Sequence, residues 1–107
     1  TIAYSIANAD PPSGNRALAA ARATGGAVVA VDDDAIERAG ERFADAGLAV
    51  EPASATTLAA LSPLRANGTL AAGDTVALVA TGRGFGTAGG SVTADRVDLS
   101  ALGSLFD

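Results

Sequence analysis

The stretch whose reading decides the fold is GGAVVAVDDDAIERAGERFADAG, residues 25–47. Its Ala27, Val28, Val29, Ala30 and Val31 form a continuous apolar run, the pattern of a strand buried on both faces. After three aspartates the period changes. Ile36, Ala39, Phe43 and Ala46 recur at helical spacing, while Glu37, Arg38, Glu41 and Arg42 fall on the opposite side. A helix over residues 33–46 is therefore expected, stopped by Gly47, which tolerates the left-handed conformation that ends helices. The acidic triplet at 32–34 has the residue types of a metal site. Three carboxylates at a helix start are more simply a cap, with charges that suit the positive end of the helix dipole.

Working outward, residues 13–24 read as another helix. Ser13 is placed to cap it, Leu18 and neighbouring alanines supply a narrow apolar stripe, and Gly25-Gly26 ends it. Leu48-Ala49-Val50 is a short extended piece. A third helix is expected from Ala53 or Ser54, after Pro52, to Ala66, with Leu58, Leu61 and Leu64 on its apolar face and Asn67-Gly68 closing it. TVALVA, residues 75–80, is the clearest strand. Helices alternating with strands in this order predict an α/β fold, a three-layer αβα arrangement with a mainly parallel sheet and right-handed crossovers. One domain spans residues 1–107, with a glycine-rich loop and C-terminal tail over 82–107 in which residues 97–106 form a weak helix or docking tail. No repeat is evident.

Composition excludes much chemistry. With 49% hydrophobic, 18% charged and 4% aromatic residues, the chain is too apolar for disorder. Alanine and valine dominate the apolar fraction, so the core is built of small pieces that bury little area each. A net charge of -5 and seven scattered arginines argue against nucleic acid. No apolar run reaches the roughly 18 residues of a membrane span, and no signal peptide opens the chain, so a soluble cytoplasmic protein is expected. Zero cysteine and zero histidine remove disulfides, thiolate metal sites and the commonest general base.

Lysine is also absent, all seven basic side chains being arginine. Surplus acid without lysine fits a salt-adapted organism, and a GC-rich genome accounts for it equally well. With Thr1 first and no methionine anywhere, the chain reads as a processed or excised piece.

Sites in parallel α/β sheets lie beyond the carboxyl ends of strands, which points to two places. One is EPASA, residues 51–55, and the other is TGRG, residues 81–84. The run Gly84-Phe85-Gly86-Thr87-Ala88-Gly89 satisfies G-x-G-x-x-G after a strand. It is rejected as a dinucleotide site because no helix pattern opens behind it and no acid lies about 20 positions on except Asp107.

Four stretches together resemble the C-terminal part of threonine synthase, of the fold-type II pyridoxal phosphate-dependent enzymes: TIAYSIAN (1–8), GGAVVAVDDDAIERA (25–39), GLAVEPASATTLAAL (47–61) and VALVATGRG (76–84). They stand in the family's order and cover most of residues 1–84. The resemblance implies part of the large domain of such an enzyme, with pyridoxal phosphate as cofactor. It implies that the Thr81 hydroxyl hydrogen-bonds the pyridine nitrogen and that Gly82 lets the chain pass close to the ring. Glu51 and Ser54 are implied near the ring or its pocket. The same residues also read as helix initiation, with proline in the first turn, a capping serine and an acid at the positive end. Backbone around Ser5, Ile6 and Ala7 is implied as pocket wall.

The departures are as informative. Arg83 stands where threonine synthases commonly have asparagine or histidine, and their lysine-aspartate pair is replaced by Phe85-Gly86-Thr87. The lysine that anchors the cofactor and the loop that holds its phosphate lie upstream in the family. The resemblance therefore implies a C-terminal part, inactive alone, of an enzyme converting O-phosphohomoserine and water to threonine and phosphate, with the missing N-terminal portion as its partner. A stand-alone, non-catalytic α/β binding module and a fragment without any role outside its parent are the alternatives. A sheet cut from its upstream strands would leave an apolar edge, and self-association is expected.

Overall fold

Helices, and no strands, organise residues 1–84, which are the residues the computed structural model describes. A 3-10 turn at Tyr4–Ile6 is followed by α1 (Gly14–Ala23), α2 (Asp33–Asp45), α3 (Pro52–Ala59) and α4 (Leu61–Ala66). The glycine-rich loop beyond Gly84, the G-x-G-x-x-G run after its first residue and the helix expected over 97–106 lie outside the described residues.

The local signals explain α2 well. Asp32 takes the N-cap position in extended conformation, and its carboxylate accepts a 2.7 Å hydrogen bond from the Ala35 amide. Asp33 and Asp34 occupy the first turn, where the unpaired amides favour negative charge. Ile36, Ala39 and Phe43 are buried while Glu37, Arg38, Glu41 and Arg42 face solvent. Ala46, expected on the buried face, is exposed, because the helix ends at Asp45 and Gly47 turns the chain away at φ 79°.

Two other expectations need correction. Ser13 does stand at the N-cap of α1, but its side chain makes no capping hydrogen bond, its backbone being outside the extended conformation that a cap requires. The helix expected to run unbroken to Ala66 is two helices that meet at Ala60. Pro63 supplies the reason: it has no amide to donate to the Ala59 carbonyl, and its ring crowds that carbonyl.

The core is a small alanine-rich cluster between α2 and α3. Ala3, Ile36, Ala39, Ala53, Ala55 and Ala59 are buried together, with Ile2, Val31, Ala35, Val50 and Leu58 packed around them. Small side chains on α3 let its backbone approach α2 closely, and the 3-10 turn also packs against α3. Among the described residues α1 packs against no other helix.

The parallel sheet is not formed among the described residues. Residues 27–31 and 75–80 carry no ladder, and the β pairing present there is a single antiparallel bridge between Val50 and Arg83. A parallel strand needs a neighbour to satisfy its amides and carbonyls, and no described segment forms a ladder with either run. Val28, Val76 and Val79 consequently remain exposed. No helix among these residues is long and apolar enough to cross a membrane.

Candidate functional site

The bridge between Val50 and Arg83 brings the two sequence motifs together. On one side the chain runs extended through Glu51, the N-cap of α3, and enters the helix at Pro52, whose fixed φ suits the first turn. The Glu51 side chain makes no capping bond. On the other side Gly82 and Gly84 face this entry. The Glu51 amide donates to the Gly82 carbonyl at 3.2 Å, and the Gly84 amide donates to the Ala49 carbonyl at 3.1 Å.

Ser54 completes the junction. Its side chain is buried, with 1% of its surface exposed, between the buried Ala53 and Ala55. Its Oγ accepts from the Gly82 amide at 3.1 Å and donates to the Gly82 carbonyl at 3.4 Å. Both hydrogen-bonding groups of one glycine are thus engaged by a single residue 28 positions away in sequence.

The backbone angle of Gly82 does not call for glycine. Among the described residues the glycines with positive φ are Gly25, Gly47, Gly68 and Gly73, and Gly82 is not among them. A Cβ at residue 82 would instead collide with the Glu51 carboxylate and come within 2.9 Å of its Cγ. The open face that the sequence assigned to a passing ring is covered by the Glu51 side chain.

Thr81 directly precedes this clamp. It is exposed, and no hydrogen bond among the described residues engages its hydroxyl. At the junction itself, a small cavity of about 80 Å³ is lined by Tyr4, Ser5, Glu51, Pro52, Arg83 and Gly84, among others, and not by Thr81. Ser5 lines this cavity, and Ser5, Ile6 and Ala7 are all exposed. A wider open groove of about 760 Å³ continues along α2 past Gly40 and Ala44 and shares Ile2, Tyr4, Pro52 and Gly84 with the cavity. Its volume lies in the range of small-molecule sites.

Of the four residues singled out from sequence, Glu51, Ser54 and Gly82 meet at this junction, whereas Thr81 adjoins it only as the chain neighbour of Gly82. The sequence missed the Ser54–Gly82 pairing. The available signal was a lone hydroxyl between two alanines at positions that pack inward.

No cluster of three or more histidine, cysteine, aspartate or glutamate side chains among the described residues is arranged to hold a metal. Asp33, in the acidic triplet, is instead tied to the start of the chain. Its Oδ1 accepts from Thr1 Oγ1 at 2.6 Å and from the Ile2 amide at 3.1 Å, and these bonds hold its carboxyl below the ordinary aspartate range.

A family model described as pyridoxal-phosphate dependent enzyme matches residues 1–82, a span that contains Glu51, Ser54, Thr81 and Gly82. No curated protein and no solved structure gives a significant match to the chain.

Proposed function

This chain belongs to the pyridoxal-phosphate dependent enzymes, and from that premise we propose that it forms the C-terminal part of a threonine synthase-like member. The whole enzyme would convert O-phosphohomoserine and water to threonine and phosphate in the cytoplasm, and this part supplies one wall of the cofactor site. Its acidic, lysine-free surface suits a salt-adapted organism.

Complete enzymes of the family bind pyridoxal phosphate. The residues here fit one side of that group and not its anchor. Thr81 offers an exposed hydroxyl with no competing partner among the described residues, fixed beside a buried polar clamp. With no lysine in the sequence, this chain has no side-chain amine to hold the cofactor aldehyde. When bound, the cofactor supplies an electron sink for charge developing on the amino acid substrate.

The residues of this chain bind and orient. The Thr81 hydroxyl is the group we assign to the ring nitrogen, where a neutral partner leaves that nitrogen unprotonated. Glu51, lying over Gly82, lines the approach to the ring, and Ser54 lies behind them. Residues 27–31 and 75–80 would join the parallel sheet of the missing N-terminal portion, whose strands would cover their exposed valines.

The observation that carries this reading is the junction itself: two motifs quoted for their likeness to the family, far apart in sequence, close on each other through Glu51, Ser54 and Gly82. The test is to mix this chain with the lysine-bearing portion encoded upstream and supply O-phosphohomoserine and pyridoxal phosphate. Threonine and phosphate should form in the mixture and from neither part alone. A cofactor held covalently by this chain alone, or a mixture that binds cofactor yet releases no phosphate, would overturn the assignment.

A further inference from the structure

We infer that Ser54 is a positioning residue: its hydroxyl sets the backbone of Gly82 and thereby aims the Thr81 side chain, and it does not touch the cofactor itself. The aim at a cofactor rests on the function proposed above; the clamp does not.

A serine hydroxyl has one hydrogen to give and two lone pairs. The hydrogen is directed to the Gly82 carbonyl and one lone pair is occupied by the Gly82 amide. Ligating anything else with its hydrogen would mean releasing that carbonyl, and turning the hydroxyl away would strand the amide. The two bonds grip different peptide planes. The Gly82 amide belongs to the plane shared with Thr81, and the Gly82 carbonyl to the plane shared with Arg83.

Holding both removes the freedom that glycine otherwise gives the chain. The peptide following Thr81 is then fixed, and with it the direction in which Thr81 leaves the backbone. The Glu51 amide, bonded to the same carbonyl, ties this arrangement to the start of α3. Ser54 is itself buried, with 1% of its surface exposed, so water does not compete for its hydroxyl.

The test combines amide hydrogen exchange on the 107-residue chain with pyridoxal phosphate titration of the chain mixed with its lysine-bearing portion. In Ser54→Ala, protection of the Gly82 amide should fall about tenfold, the loss expected for one net hydrogen bond, while the Ala39 and Phe43 amides of α2 keep theirs. Ser54→Thr, which retains the oxygen, should restore Gly82 protection. If Ser54→Ala does not fold by circular dichroism, Ser54→Cys, close in volume and a weak donor, takes its place in the same comparison.

For the cofactor, Ser54→Ala should weaken binding in the wild-type background and add nothing in a Thr81→Ala background, since it acts through Thr81. Unchanged Gly82 exchange, or losses of affinity that add across the two substitutions, would overturn the inference, the second outcome marking Ser54 as a direct ligand. A wild-type mixture with no affinity for pyridoxal phosphate would count against the proposed function alone, and the Gly82 exchange would still decide the clamp.

Discussion

The Glu51 carboxylate lies against the Cα of Gly82, in the space that a methyl group at residue 82 would need. Two segments meeting in a single bridge are held in register by this contact together with the Ser54 hydroxyl. Gly82→Ala is expected to push the flexible Glu51 carboxylate aside at a cost of about 0.5–1.5 kcal/mol, that of an off-rotamer side chain, read as a lowered denaturant midpoint. Combining it with Glu51→Ala should recover most of that loss, because the clash is with the Glu51 side chain. Additive effects in that double-mutant cycle would show that the contact is not what excludes a side chain at 82.

Asp33 gives the chain an acid-sensitive tie. Bonds from Thr1 and Ile2 favour its ionised form and lower its pKa below the ordinary 3.8. A depressed carboxylate pKa contributes stability above the unfolded value, and that contribution disappears as pH falls through the folded value. Asp33→Asn should therefore be less stable than the wild type near neutral pH and converge with it in strong acid. Denaturant midpoints that differ equally at both extremes would contradict this account.

Thr81 carries the chemical part of the proposal. Removing a hydroxyl that serves a buried ring nitrogen leaves that nitrogen without a partner, a loss of about 1–3 kcal/mol. In the reconstituted mixture Thr81→Ala should lower kcat/KM about tenfold to a hundredfold, while Thr81→Ser should stay near the wild type. Equal loss in both variants would point to packing by the Thr81 methyl group as the relevant property.

What the sequence made legible was local. The Asp32 cap, the buried face of α2 and the stops at Gly25, Gly47 and Gly68 each depend on a few adjacent residues, and each formed where the spacing places it. The break at Ala60 was equally local, written in Pro63 but outweighed by the leucine spacing on either side of it. The sheet was a different kind of inference. Apolar runs such as 27–31 record a tendency to be buried, not which segment buries them, and neither run forms a ladder within residues 1–84. The Ser54–Gly82 pairing lay beyond any local pattern, because a single hydroxyl does not reveal its distant partner until the chain has folded.

The core between α2 and α3 depends on few large side chains. Ile36 is the largest member of its cluster and is 2% exposed among alanines that cannot expand to fill its place. Ile36→Ala should cost about 2–5 kcal/mol, comparable to the whole stability of a small domain. Loss of the cooperative thermal transition is the expected reading; a shift of only a degree or two would mean that α2 and α3 do not form the stabilising pair.

The exposed valines lead to the last expectation. Val28 and Val79 are 73% and 68% exposed, on two segments that present unpaired backbone groups together with apolar side chains. Extended apolar segments with open hydrogen-bonding edges pair with one another when no other strand covers them. The chain alone should therefore self-associate as its concentration rises, and Val28→Lys with Val79→Lys should shift it toward monomer, since charged side chains on an edge oppose pairing. Adding the lysine-bearing portion should have the same effect on the wild type by covering both segments, giving a defined complex in place of larger species. Sedimentation that finds a clean wild-type monomer at high concentration would refute the exposed segments as association surfaces, and self-association unaffected by the double substitution would move the contact elsewhere on the chain.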